Sequence, residues 1–240
     1  VLCWGRNAEG QIGNGTRDNV LAPFELPISN VKKVRVGTDH TCVLLEDGSV
    51  KCWGSNSDDQ LEDVPVTLNA DRWAPLTVPY VTGATDLIVS GATNCVTMNG
   101  QPRCWGGLLP TAGGALDTDP PPRLFNVPGL TELVRTRNTA CGIVGSAAKC
   151  WGDPSGGNLG TGADLGDPEQ PMPANVRGLD TGVTSMSNGC ATAGGKVWCW
   201  GSWPQRFGDG TNKANTLLPV SATGLTDAVQ VSNAFETTCA

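Results

Sequence analysis

Apolar and polar positions alternate along the chain in short runs that are separated by turn residues. The clearest stretch has runs at residues 34–36, 41–45 and 50–53, with Gly37 after the first and a tight turn at 46–49. That turn contains Asp-Gly, the pair that tolerates the positive φ of a hairpin. A polar loop and a proline-led segment follow, and a proline at the start of a strand favours an outer position in the sheet. The pattern predicts a unit of four short strands.

A recurring Cys-Trp-Gly phrase marks the third strand of each unit. Successive copies are separated by 49, 52, 46 and 49 residues, and their cysteines are Cys3, Cys52, Cys104, Cys150 and Cys199. A repeat of this length built from four short strands is typical of a β-propeller blade. The sequence therefore predicts an all-β fold, in which residues 1–240 form one propeller domain of five repeats of about 49 residues.

A second cysteine precedes each later copy of the phrase by nine or ten residues. Cysteines at this spacing flank a short hairpin turn and lie opposite each other on its two strands. We therefore predict four disulfides, each worth about 2–3 kcal/mol of stability: Cys42–Cys52, Cys95–Cys104, Cys141–Cys150 and Cys190–Cys199. The alternative is zinc, which usually takes cysteines two to four residues apart and often histidine; the chain has only one His.

The two remaining cysteines lie near the ends of the chain. Cys3 matches the end of a third strand, and Cys239 matches the start of a second strand. A Cys3–Cys239 disulfide would join both ends in one blade and close the ring, with a contribution of about 5 kcal/mol on the same loop-entropy estimate. The alternative is that the chain is a slice of a longer array, and that each end has lost its partner.

Composition and charge narrow the class of protein. With 32 Gly, 17 Pro and 16% charged residues, the chain is rich in turns and strands. The net charge of −7 disfavours nucleic acid as a partner, because a phosphate backbone would be repelled. Ten regularly spaced cysteines indicate an oxidising compartment: extracellular, cell-surface or periplasmic. No apolar run is long enough for a membrane-spanning helix, so we expect no membrane insertion.

Several phrases resemble the repeat of the regulator of chromosome condensation family, in its secreted, disulfide-bearing bacterial branch. Residues 4–16 are similar to the family's Trp-Gly-x-Asn-x-x-Gly-Gln-Leu-Gly-x-Gly-Thr, residues 39–54 match the adjoining part, and residues 200–211 give a third match. The glycine-rich phrase is lost after Trp53 and Trp105. The resemblance implies a propeller, although familiar members have seven blades. It does not fix the function, since members include exchange factors, photoreceptors and a β-lactamase inhibitor.

No residue type in the chain forms an evident catalytic, cofactor-binding or metal site. His40 is the single His, and its slot in the other repeats holds Thr or Asn, so we interpret it as a hydrogen-bonding residue. Acidic residues gather in the loops, but their spacing matches no calcium-binding loop, and we interpret them as a solvated rim while leaving a calcium site open. They are Asp58, Asp59, Glu62, Asp63, Asp164, Asp167 and Glu169.

Aromatic residues fall into two groups. The Trp of each Cys-Trp-Gly phrase recurs with the repeat, which predicts packing in the core or between blades. A second group of aromatic residues lies in loops, and exposed aromatic residues often dominate binding interfaces. These candidates are Trp73, Tyr80, Trp203 and Phe207, and their alternative role is as buried loop anchors.

Three functions are compatible with these patterns. The favoured one is a non-catalytic binding or scaffold propeller, secreted or on the cell surface, that recognises an unknown protein or glycan through loops at 55–79, 107–123 and 153–173. The repeat motifs decay in those loops while the cysteines and Trp-Gly remain, which is typical of a scaffold with functional loops. The alternatives are a self-assembling module of a larger surface assembly or filament, and a glycan-cleaving enzyme that uses loop carboxylates.

Overall fold

A computed structural model describes residues 1–61, 70–107, 123–124, 127–135, 139–202, 207–233 and 237–240. Across these ranges the chain is all-β, apart from one 3-10 turn at Ser155–Gly157. The strands form four-stranded and two-stranded antiparallel sheets. None of the helices found in those ranges is long and apolar enough to cross a membrane.

Each four-stranded sheet is one blade, and its strands follow one another in chain order. The first blade contains β3 (Val31–Val36), β4 (His40–Leu45), β5 (Val50–Gly54) and β6 (Arg72–Thr77). The second contains β7 (Asp86–Ser90), β8 (Thr93–Met98), β9 (Gln101–Gly106) and β10 (Arg123–Leu124). The third contains β11 (Leu130–Arg135), β12 (Thr139–Val144), β13 (Ala147–Gly152) and β14 (Gln170–Asn175), and the fourth β15 (Val183–Ser187), β16 (Cys190–Ala193), β17 (Lys196–Gly201) and β18 (Thr216–Ser221).

A two-stranded sheet stands at each end of the chain. β1 (Leu2–Gly5) pairs with β2 (Val20–Glu25), and β19 (Ser232–Asn233) pairs with β20 (Thr238–Cys239). By register, β1 and β2 correspond to the third and fourth strands of a blade, because Cys3 lies opposite Phe24 as Cys52 lies opposite Leu76. β19 and β20 correspond to the first and second strands.

Burial follows strand position in the blade. The second and third strands are buried on both faces, as β4 shows, so they read as nearly continuous apolar runs. The fourth strand is an edge and is largely exposed, as β2 shows. Each fourth strand whose side chains are described carries a proline, which removes a ladder donor from that edge and disfavours sheet extension. These prolines are Pro23, Pro75, Pro173 and Pro219.

The chain forms two compact units, which contain β1–β10 and β11–β20. The core of the first is built around Cys42, Leu44, Leu61, Leu87 and Trp105. The core of the second is built around Cys150, Leu159, Val176, Leu179 and Trp200. That residues 1–240 fold as a single domain stays a prediction.

Four disulfides join the second and third strands of the four blades. They are Cys42–Cys52, Cys95–Cys104, Cys141–Cys150 and Cys190–Cys199, with Cα–Cα distances of 4.2, 4.1, 4.0 and 4.0 Å. In each hairpin the two cysteines are direct cross-strand partners, as the hairpin spacing predicts. Cys3 and Cys239 are free thiols in the structure, Cys3 on β1 and Cys239 on β20, and their predicted pairing is not tested. Closure through that disulfide stays a prediction.

Candidate interaction surface at the loop end of the blades

The long loops leave the blades at one strand end, directly after the Trp-Gly of the third strand. Gly54 shows why glycine is required there. Its φ is 108°, and a Cβ added to it would lie 2.5 Å from the Asp39 carbonyl oxygen and 2.7 Å from the His40 Cα. The turn between β3 and β4 therefore packs directly against the loop exit, and the loop and the turn form one surface.

Three of the described loops also cover the Trp of the next blade. The Trp53 indole is fully buried, and its Nε1 donates a hydrogen bond to the Gln11 carbonyl oxygen at 2.9 Å. Trp105 Nε1 donates in the same way to Gln60 O at 3.0 Å, and Trp200 Nε1 to Asn158 O at 3.2 Å. A buried indole N–H needs such an acceptor. These Trp residues are therefore joints between successive repeats, in agreement with their predicted packing role.

The loop at residues 6–19 is held rigid by one buried amide. Asn7 is fully buried, and its Nδ2 donates to Asn14 Oδ1 at 3.2 Å, Thr16 O at 2.9 Å and Asp18 O at 3.0 Å. Its Oδ1 accepts the backbone N–H of Ile12 at 2.9 Å. Because one side chain satisfies several backbone groups, the loop presents its outer residues from a fixed frame.

Trp73 lies at the outer side of this loop and is 43% exposed. The Gly10 backbone packs against its Cγ–Cδ1 edge, where a Cβ added to Gly10 would come within 2.5 Å of Cδ1. The Arg17 guanidinium lies over the ring, with Cζ 5.8 Å from the ring centroid, as in a cation–π contact. The backbone is fixed as well, since Gly15 N donates to Trp73 O at 2.7 Å.

Arg17, which lies over this ring, belongs to a chain of ion pairs with three further charged side chains. Arg6 Nη1 lies 3.0 Å from Asp39 Oδ1, Arg6 Nη2 lies 3.5 Å from Glu9 Oε1, and Arg17 Nη2 lies 3.5 Å from Glu9 Oε2. Exposed pairs of this kind contribute only about 0–1 kcal/mol each to stability, so they can exchange partners at low cost. We call Arg6, Glu9, Arg17, Asp39 and Trp73 the Arg17–Trp73 surface.

His40 is part of the frame beneath this end of the blade and is not exposed. It is 1% exposed, and its Nε2 lies 2.8 Å from Asn94 Oδ1. The Asn94 Nδ2 donates to Gln60 O at 2.8 Å, so Asn94 Oδ1 is the acceptor and His40 Nε2 carries the proton. Burial lowers the pKa of His40, while the Asn94 hydrogen bond and the Asp39 charge oppose that shift. The residue links two blades, which agrees with the hydrogen-bonding role predicted for its slot.

Three carboxylates of the predicted acidic rim accept hydrogen bonds within turns. Asp164 Oδ1 accepts the N–H of Gly156 at 2.8 Å, Asp167 Oδ2 accepts that of Asp164 at 2.9 Å, and Asp58 Oδ2 accepts the Ser57 hydroxyl at 3.1 Å. Glu62 and Asp63 lie outside the described residues. Where side chains are described, no three His, Cys, Asp or Glu residues are grouped so that they would hold a metal ion.

The predicted binding aromatics have different surroundings. Trp73 and Tyr80 are 43% and 60% exposed, whereas Phe207 is 1% exposed and packs with Val231. Phe207 is therefore a core residue, which corrects its place among the candidate binding contacts. It occupies the slot of the buried residues Ile12, Leu61 and Leu159, a register visible in the sequence. Trp203 lies outside the described residues.

Comparison with known proteins adds sequence and fold relatives. Models of the regulator of chromosome condensation (RCC1) repeat match residues 1–44 and 31–60. A 57-residue stretch is 37% identical to the ultraviolet-B receptor UVR8 of Arabidopsis thaliana, and it covers 22% of this chain and 13% of that protein.

Solved structures share the fold over nearly the whole chain. Yeast RCC1 (Prp20), in its complex with Kap60, has a TM-score of 0.74 at 15% identity, with 98% of this chain and 61% of that chain covered. Prp20p from Saccharomyces cerevisiae gives 0.74 at 17% identity (96% and 62% covered), and human WBSCR16 gives 0.73 at 18% identity (96% and 64% covered). The chain thus spans under two thirds of each of these structures. At these identities the likeness establishes the fold, and it confirms the predicted all-β propeller.

Proposed function

We propose that this chain, a β-propeller of the RCC1 repeat family, is a non-catalytic binding scaffold that recognises a protein through the Arg17–Trp73 surface. The observation that carries this proposal is the half-exposed Trp73 ring, with Arg17 over it, on a loop fixed by the buried Asn7. Trp and Arg are over-represented among the residues that dominate binding energy. A rigid frame reduces the entropy lost on binding, because little has to be ordered.

A protein partner fits this surface better than a glycan. Arg17 lies over the Trp73 ring and Gly10 packs against the ring edge, so a sugar that stacked on the face under Arg17 would have to displace that guanidinium. The alternating charges of Arg6, Glu9, Arg17 and Asp39 match an interface that uses charge to select and orient a partner. Yeast RCC1 (Prp20) binds Kap60, and Prp20p has been studied for its binding to Gsp1p and histones. From these relatives we take only the class of partner.

The same proposal places the chain in an oxidising compartment, outside the cell, on its surface or in the periplasm. Four hairpins carry disulfides, and both cysteines of the first hairpin are fully buried. Disulfides of this density form and persist in extracellular and periplasmic proteins. The self-assembling module and the glycan-cleaving enzyme remain predictions, and no described residue favours either over binding.

The test is capture of partners by purified, oxidised protein from the extracellular fraction of the source organism. Arg17→Glu and Trp73→Ala change the surface, and Trp4→Ala is the matched control, because Trp4 is 60% exposed and lies outside the surface. We expect a protein identified by mass spectrometry to bind wild type and Trp4→Ala, and to bind the two surface variants at least about tenfold more weakly when purified. Equal binding by all four proteins would overturn the proposal.

A further inference from the structure

We infer that Tyr80 anchors a second protein-binding surface at the opposite end of the first blade. Tyr80 lies in the connector at residues 78–85, between β6 and β7. The connector follows the Thr77 end of β6, which pairs with Lys51 near the β4–β5 hairpin turn, while Trp73 lies at the Arg72 end, which pairs with Gly54. The two ends of a six-residue strand are roughly 17–20 Å apart. This surface is therefore separate from the Arg17–Trp73 surface.

The backbone of Tyr80 has an unusual conformation for a bulky residue. Its φ is +61°, in the left-handed region, where a side chain crowds the backbone. In three other repeats the equivalent position, two residues after Val127, Val176 or Ala222, holds glycine. Those glycines are Gly129, Gly178 and Gly224, with φ of 80°, 80° and 77°. The first blade thus places a tyrosine where three other repeats place the residue best suited to that conformation.

The tyrosine gains little from packing in return. Its side chain is 60% exposed, and within the described part of the chain it makes no hydrogen bond. The neighbouring residues hold the connector in place instead: Val78 and Val81 are 1% and 2% exposed, and Val78 N donates to Val50 O at 2.9 Å. A bulky residue in a strained conformation, projected into solvent from a fixed loop, is a feature that function explains better than stability does.

The chemistry of the connector indicates the kind of partner. Residues 78–85 are Val-Pro-Tyr-Val-Thr-Gly-Ala-Thr and contain no charged side chain. A projecting phenol ring on an uncharged turn suits insertion into an apolar pocket of a protein, with a polar group at the pocket end for the hydroxyl. The charges at the far end of the connector are paired, because Lys32 Nζ donates to the Thr85 carbonyl oxygen at 3.1 Å and Lys33 pairs with Asp86. Binding at Tyr80 should therefore depend less on salt than binding at the Arg17–Trp73 surface. Binding at the Arg17–Trp73 surface should weaken as salt rises, because exposed charges are screened.

The first experiment separates a binding role from a structural one. Tyr80→Gly places in this position the residue that Gly129, Gly178 and Gly224 provide elsewhere. We expect the thermal midpoint of unfolding to stay equal or to rise, because the strain is relieved and few contacts are lost. A lower midpoint would overturn the inference, because the ring would then stabilise the fold.

The second experiment tests binding directly. p-Benzoylphenylalanine is placed at the exposed Thr82, and the oxidised chain is irradiated with the extracellular protein fraction of the source organism. We expect a cross-linked protein whose yield falls about tenfold or more in Tyr80→Gly. The yield should be unchanged in Leu165→Gly, the control, which removes a side chain that is 83% exposed in the second unit. Arg17→Glu should leave this cross-link intact. The result therefore separates a loss of binding at the Arg17–Trp73 surface from a loss of binding at Tyr80. The absence of any Tyr80-dependent cross-link would overturn the inference.

Discussion

Trp53 and Trp4 occupy the same slot of the repeat, yet one is fully buried and the other is 60% exposed. Both follow a cysteine in a third strand, and both precede a glycine with φ above 100°. The difference lies in what covers them. Trp53 lies beneath the loop of the preceding repeat and donates to Gln11 O, whereas Trp4 has no acceptor for its Nε1 among the residues that the structure describes.

The comparison shows that the local Cys-Trp-Gly sequence does not by itself determine whether its tryptophan is buried. Its cysteine fixes the hairpin within a blade, and its tryptophan completes a joint that needs a loop from another repeat. Trp105 and Trp200 repeat the arrangement of Trp53, with Gln60 O and Asn158 O as acceptors. Stability is therefore distributed along the chain through contacts between neighbours, as expected for a repeat protein.

The largest effect is expected from removing the indole at each of the two positions. Trp53→Ala should lower the free energy of unfolding by about 3–5 kcal/mol, because it opens a cavity under the 6–19 loop. Trp4→Ala should change it by only about 0.5 kcal/mol, as exposed positions do. Chemical denaturation of both variants measures the difference. Equal losses would mean that Trp4 is buried in the folded protein.

The next effect concerns the cysteines. Replacing Cys42 and Cys52 together by Ala should cost about 2–3 kcal/mol, because a short covalent loop is removed from the unfolded chain. Cys3→Ser is the comparison, since Cys3 is a half-buried free thiol. If it also lowers the free energy of unfolding by several kcal/mol, Cys3 is engaged in a disulfide in solution. Denaturation under non-reducing conditions distinguishes these results.

A smaller difference, about 1–3 kcal/mol, is expected between alanine variants of two glycines in the loop over Trp53. Gly13 and Gly15 have φ of 84° and 83°, but a Cβ on Gly13 would lie 2.6 Å from Trp53 Nε1, while one on Gly15 meets nothing within 4 Å. Both Ala variants carry a left-handed penalty of about 1–2 kcal/mol, and Gly13→Ala adds overpacking of about 1–3 kcal/mol. Gly13→Ala should therefore have the lower thermal midpoint. The reverse order would contradict the close packing of the Gly13 backbone on Trp53.

The smallest effect is the pH dependence at His40. Burial lowers the pKa of His40 in the folded protein, so the unfolded chain binds a proton more readily. Stability from this group is complete above the unfolded pKa of about 6.5, and it declines as pH falls below that value. His40→Thr places at this position the residue type of Thr93 and Thr139. In this variant the free energy of unfolding should change less with pH between about pH 7 and 5.5 than it does in wild type.

The carboxylates act in a separate, more acidic range. Hydrogen bonds from Thr211 and the nearby Lys213 lower the pKa of Asp209 from 3.8 to about 2, so its contribution is lost only as pH falls below about 4. A wild-type decline that persists unchanged in His40→Thr above pH 5 would contradict the assignment to His40.

Strand positions could be predicted closely because they depend on local alternation and turn chemistry. The predicted runs at 34–36, 41–45 and 50–53 fall within β3, β4 and β5. The hairpin cysteines could be paired because their spacing sets the register across a short turn. Burial was harder to predict where it depends on other repeats. Trp4 has the same local sequence as Trp53, and within the described ranges it is 60% exposed, whereas the loop that contains Gln11 covers Trp53.

The candidate site could be predicted only in part. The sequence predicts Trp73 and Tyr80 as candidate binding aromatics, and both are exposed in the structure. The part played by Arg17, Glu9 and Arg6 was missed, because the contact between Arg17 and Trp73 joins residues far apart in the sequence. The prediction that Phe207 is a binding residue was wrong. Phe207 occupies a buried position that holds an aliphatic residue in three other repeats, and the prediction relied on its aromatic side chain instead of its position in the repeat.

The central claim is that a disulfide joins the second and third strands of every four-stranded blade, as expected in an oxidising compartment. Disulfide mapping by mass spectrometry of unreduced, alkylated protein tests this claim most directly. The account predicts peptides that link Cys42 to Cys52, Cys95 to Cys104, Cys141 to Cys150 and Cys190 to Cys199 within one chain. Free thiols at these positions, or links between different hairpins, would contradict it.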